Sequence, residues 1–87
     1  MCTMIAVSGP VSGMAKGENG WFPVTQATVG YDHTTHSKAE HALLIDFTNY
    51  DIGIDARVAF ELDLDSGRAL LAQLQSAIVQ AEASGVH

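Results

Sequence analysis

Three stretches of this chain alternate apolar and polar positions with a period of two, and a fourth repeats its apolar positions every three or four residues. The first period tracks the two faces of a strand and the second tracks one face of a helix. From Trp21 to His33, Ala27, Val29, Tyr31 and His33 share one face, and Thr28, Gly30 and Asp32 share the other. From Glu40 to Asn49, His41, Leu43, Ile45 and Phe47 are set against Glu40, Ala42, Leu44, Asp46 and Thr48. From Arg57 to Leu62, Val58, Phe60 and Leu62 point inward while Arg57, Ala59 and Glu61 point outward. Beyond these strands, Leu70, Leu74, Ala77, Ile78 and Ala81 make the apolar stripe of one helix. Asp65 or Ser66 is placed to cap its start and Gly85 to end it.

The start of the chain is less regular. Cys2 to Val7 is apolar and β-prone, and reads as a short strand. Ser8 to Gly20 carries four of the 8 glycines together with Pro10, and reads as a long loop. A loop of that length in a small domain suits a cover over a ligand, although its glycines lack the Gly-Lys-Ser/Thr ending of a phosphate-binding loop. The expected architecture is α+β: a single ββββα domain over residues 1–87, with a four-stranded antiparallel β-meander followed by one C-terminal α-helix packed on one sheet face. Asp46 and Arg57 are expected to pair across the hairpin that joins the last two strands.

Composition narrows the partners. An apolar fraction of 47% with 16% charged residues describes a folded chain. The net charge of −6, with only Lys16, Lys38, Arg57 and Arg68 as cations, leaves no basic patch for nucleic acid. The single cysteine, Cys2, forbids an internal disulfide. No basic n-region with an apolar core opens the chain, and no apolar run is long enough to span a bilayer, so a cytoplasmic protein without membrane contact is expected. Removal of Met1 would expose Cys2 as an amine next to a thiol. A chain of 87 residues buries a thin core. One helix covers one sheet face, and the other offers Ala42, Leu44, Thr28 and Ala59. A homodimer with sheets or edges meeting is therefore expected.

The densest chemistry lies between Tyr31 and His41, where three of the 4 histidines fall within nine residues. Imidazole, carboxylate and thiolate are the ligands that transition metals use. A meander brings Cys2, His33, His36, Glu40, His41, Asp63 and Asp65 to one end of the sheet. Alternation sets His33 and His41 on the helix-covered side. His33 and His41 across a hairpin, joined by His36 or Cys2, make a ligand set for a divalent transition metal: zinc first, with iron, nickel or copper as the other choices. Glu40 is a fourth ligand or general base. Asp32 and Glu40 are also candidates to fix an imidazole tautomer, and Asp32, Glu40 and His36 are the candidate proton-transfer groups. Tyr31, Trp21 and Arg68 are candidate substrate contacts, with the helix N-terminus and Arg68 favouring an anionic ligand. The His-x2-His-x4-His spacing matches no metalloprotease motif, because no second histidine follows Glu40-His41 at helical spacing.

Met1-Cys2-Thr3, Gly20-Trp21-Phe22-Pro23, and Asp32-His33 followed by Ala39-Glu40-His41 together resemble a family of small actinobacterial proteins classed as a domain of unknown function. The resemblance covers nearly the whole chain. It implies a single-domain bacterial cytoplasmic protein and carries no activity. The residues themselves support three readings. One is a small metal-dependent enzyme of lyase, isomerase or hydrolase type acting on a small molecule. The second is a metal-free acid/base enzyme (isomerase, cyclase or hydratase) using histidine with Glu40 or Asp32. The third is a non-catalytic dimeric binding or scaffold protein.

Overall fold

A computed structural model describes residues 5–33 and 41–85. Four strands, β1 (Ile5–Gly17), β2 (Gly20–His33), β3 (His41–Thr48) and β4 (Arg57–Leu62), precede one helix, α1 (Leu64–Ser84). The strands form one antiparallel sheet in the order β1-β2-β3-β4, and α1 lies against one of its faces. The fold is thus the α+β meander with a C-terminal helix. Cys2, His36 and Glu40, three of the residues singled out from the sequence, lie outside the described residues.

The stretch expected to be a loop is strand. β1 continues to Gly17 and turns through Glu18-Asn19 into β2, with Gly17 opposite Gly20. β1 is an edge strand, so one row of its backbone groups needs no partner and the missing N–H of Pro10 is tolerated. A bulge between Pro10 and Gly13 shifts the register there. Gly20 has φ 112°, the left-handed backbone that ends such a tight hairpin. The segment from Gly9 to Gly17 is therefore sheet edge and not loop, and Val11 to Lys16 line a hollow of about 410 Å³ with Phe47, Val58 and Phe60.

The charged residues of the central strands collect on one face of the sheet and the large apolar residues mostly on the other. The outer face carries Asp32, Asp46, Arg57 and Glu61, and the inner face carries Val29, Ile45, Phe47, Phe60 and Leu62. On the outer face Arg57 Nε donates to Asp46 Oδ1 at 3.0 Å and Nη2 lies 2.9 Å from the same oxygen, the cross-hairpin pair expected from the sequence. The hydroxyls of Ser8 and Thr28 meet at 2.9 Å on the same face. Ala42, Leu44 and Ala59 share this face with those polar groups, so it is mixed in character, as the alternation indicated.

The β3–β4 connection is organised by Asn49, which is buried. Its Nδ2 donates to the Pro23 carbonyl at 3.1 Å, its Oδ1 accepts from the Asp51 N–H at 3.3 Å, and its own N–H donates to the Ala56 carbonyl at 3.0 Å. Asn49→Ala removes both side-chain bonds and takes a donor from the part-buried Pro23 carbonyl. We expect a loss of about 2 kcal/mol in urea unfolding, with no change in m; a variant as stable as the parent would show that these bonds are idle.

Asp63, not Asp65 or Ser66, caps α1, because the helix begins one residue earlier than the apolar stripe shows. Its carboxylate accepts the Ser66 N–H at 2.6 Å. That bond, and a weaker one from the Ser66 hydroxyl, hold the Asp63 carboxyl below the usual aspartate range. A lowered folded-state pKa gives stability that is present above the unfolded value and lost as pH falls through the folded one. Asp63→Ala is therefore expected to melt below the parent at pH 7, Asp63→Ser to recover most of the gap, and the gap to close below about pH 3. A gap unchanged in acid would assign the effect to something other than this carboxylate. At the far end Gly85, with φ 77°, closes the helix by donating to the Glu82 carbonyl.

The helix meets the sheet closely only at its first turns. A Cβ at position 67 would overlap Leu43 Cδ1, so Gly67 permits that approach. Further along, sheet and helix are separated by an open apolar cleft of about 710 Å³. Among the described residues, Val24, Ala42 and Ala56 are the buried apolar side chains, and no large side chain is fully buried.

Candidate functional site

Antiparallel register determines the centre of the candidate site. β2 pairs with β3 so that Val29 faces Ile45, Tyr31 faces Leu43, and His33 faces His41 at the last rung. Directly opposed residues share a face, so both imidazoles lie on the inner side with Leu43, the residue that touches the start of α1. The two rings have centroids 4.4 Å apart and are tilted by 32°. Tyr31, two residues before His33, stacks on His41 with centroids 5.8 Å apart and 21° between planes. His41 is half-buried and His33 is exposed.

This spacing suits a shared ion. Two imidazole nitrogens at tetrahedral angles, each about 2.0–2.1 Å from zinc, place their ring centres about 5 Å apart. The observed 4.4 Å needs only small ring rotations to reach that value. No cluster of three or more histidine, cysteine or acidic residues is close enough to hold an ion among the described residues. The described residues thus bring two of the candidate ligands together, His33 and His41. His36 and Glu40, within the seven residues that connect the two histidines in sequence, and Cys2 lie outside the described residues.

The other sequence candidates fall into different places. Asp32 pairs with Ala42 on the outer face, and its Oδ1 accepts the backbone N–H of His33 at 2.7 Å. Strand alternation thus sets its carboxylate on the opposite face of the sheet from the two imidazoles. Trp21 opposes Lys16 beside the β1–β2 turn, at the opposite end of β2 from His33. A full strand length separates them, so Trp21 is not part of this site. It borders a separate hollow with Phe22, Ile52 and Ala56. Arg68 binds Asp65, with Nη1 at 2.8 Å from Oδ1 and both side chains exposed. With Asp63 already on the first helical N–H groups, the helix N-terminus presents a capped and charge-compensated end, and not the open anion site expected there.

One likeness extends over all of these features: a family model described as "Family of unknown function (DUF6295)" matches residues 1–87. The chain belongs to DUF6295. No curated protein and no solved structure gives a match. Membership in DUF6295 covers the Gly20-Trp21-Phe22-Pro23 hairpin and the His33–His41 rung in one domain, and assigns a role to neither.

What sequence reasoning missed is the cleft beside the histidines. Val29, Ile45, Phe47, Phe60 and Leu62 line it from the sheet, and Leu70 and Leu74 from α1. Alternation marked these side chains as inward, and they are; it carries no information on how far the helix stands from the sheet. Among the described residues no helix is long and apolar enough to cross a membrane.

Proposed function

We propose that this chain is a small metal-binding protein in which His33 and His41 hold a divalent transition metal, zinc first, for chemistry on a small molecule. The observation that carries the reading is the pair of rings 4.4 Å apart on one rung of a regular antiparallel ladder. Strand pairing fixes both backbones in advance, so little freedom is lost when an ion binds. An ion held by few protein ligands keeps open positions, and supplies Lewis-acid polarisation or an acidified water. The chain's own contribution is to orient the rings, through the rung and through Tyr31 against His41, with an open apolar cleft further along the same sheet face. The working unit in this reading is a homodimer, because so thin a core leaves the apolar surfaces without cover.

Elemental analysis of untagged protein, followed by cobalt titration of the metal-stripped chain, tests the reading. Stoichiometric metal and a tetrahedral cobalt spectrum are expected. A stripped chain that takes up neither zinc nor cobalt would end it. A second reading, a non-catalytic binding dimer, is favoured by the size of the apolar cleft. It predicts stoichiometric dimer without stoichiometric metal in the same samples.

A further inference from the structure

The apolar side of this chain is unfinished. For a chain of 9.2 kDa, a compact fold exposes about 4,900 Å². This one exposes 6749 Å², roughly 1,800 Å² more. Its radius of gyration is 14.7 Å, where a compact domain of this length has about 12 Å. The excess is not spread evenly. On α1, Leu70, Leu71, Leu74 and Ile78 are 38%, 65%, 54% and 56% exposed. Opposite them, Phe60 on the inner sheet face is 48% exposed. Every charged residue of β3 and β4 (Asp46, Arg57, Glu61) lies on the outer face.

We propose that the cover is a second copy of this chain: the apolar side of α1 from each protomer seats in the cleft between α1 and the inner sheet face of the other. The inference rests on the homodimeric reading and adds the surface and the mode. Three observations select this occupant. Ile5, Val7, Trp21 and Ile54, outside α1 and the cleft, carry part of the excess; two copies each removing half of it still bury about 1,800 Å², the size of a stable interface. The surface is self-complementary in kind, since each chain offers both an exposed apolar helix and an open apolar cleft of about 710 Å³, as a two-fold contact requires. The net charge of −6 opposes self-association through charged surface, and the charges of β3 and β4 stand on the face that this contact leaves in water.

Sedimentation equilibrium of the parent chain, with Leu74→Asp and the outer-face control Ala59→Glu, tests the inference. The parent is expected at twice the chain mass and Ala59→Glu likewise. Leu74→Asp, counted twice in a two-fold contact, should raise the dimer dissociation constant at least about 100-fold. Should Leu74→Asp fail to fold, mixed labelled and unlabelled parent chains still decide: isotope-filtered NOEs are expected from the methyls of Leu71, Leu74 and Ile78 to the rings of Phe47 and Phe60 of the other chain. A monomeric parent overturns both this inference and the homodimeric reading. A dimer broken by Ala59→Glu, or showing intermolecular NOEs only at outer-face residues, overturns the interface and leaves the dimer standing.

Discussion

His41→Ala is expected to remove transition-metal binding, with affinity falling about 10²- to 10⁴-fold, and His33→Ala to do so to a similar degree. The equivalence is the informative part. Two rings on one rung act as a chelate: the first bond to an ion places the second imidazole beside it, so either truncation leaves one imidazole and loses that effective concentration. A single-imidazole site would instead lose its metal in one variant and keep it in the other. Stability separates the two substitutions. His41 is half-buried and stacked on Tyr31, so His41→Ala also removes an aromatic contact of about 1 kcal/mol, whereas His33 is exposed and its truncation costs less. Cobalt absorption titrations beside thermal melts of the metal-free variants measure both quantities. Affinity retained in either variant sinks the two-ring site.

The rung was legible before the fold because it depends only on strand parity and on the short connection between His33 and His41. The same applies to β4, whose limits Arg57 and Leu62 coincide with its alternation, and to the Asp46–Arg57 pair that follows from its register. β1 was hidden for the opposite reason. Its pairing comes from β2 and not from its own propensity, so Pro10 and the glycines at 9, 13 and 17 read as loop although the edge of a sheet accommodates them. Trp21 and His33 stand at the two ends of the strand already read from the sequence, so the separation of Trp21 from the histidines was legible there. The cap moved to Asp63 because the apolar stripe that marks the helix in the sequence begins only at Leu70, a turn and a half after the helix itself starts at Leu64. The open cleft was not legible at all, since a sequence pattern gives the direction of a side chain and not the distance to the layer that should cover it.

Gly30→Ala should be the most damaging of the conservative substitutions in the sheet. Gly30 sits in mid-β2, opposite Ala6 on β1 and Leu44 on β3. A Cβ built there would lie 2.7 Å from the Ile5 carbonyl oxygen, with Ala6 Cα at 3.9 Å. The obstacle is backbone, so no rotamer change relieves it, and β1 must move away from β2. Replacing a strand glycine normally returns about 0.5–1 kcal/mol of backbone entropy. Overpacking costs about 1–3 kcal/mol and here exceeds that return. A net loss of about 1–2 kcal/mol corresponds to a fall in Tm of roughly 5–15 °C for a domain of this size. Gly9→Ala is the matched comparison: its Cβ meets nothing within 4 Å, on the neighbouring strand of the same pair, and the parent Tm should be kept or slightly raised. Hydrogen exchange locates the damage. β1 is held to the sheet through β2, so its amides are expected to lose protection in Gly30→Ala while those shared by β3 and β4 keep theirs. Equal melting of the two alanine variants would show that β1 already stands far enough from Gly30 to admit a methyl group, and that the close Ile5–Gly30 approach does not hold the first hairpin to the sheet.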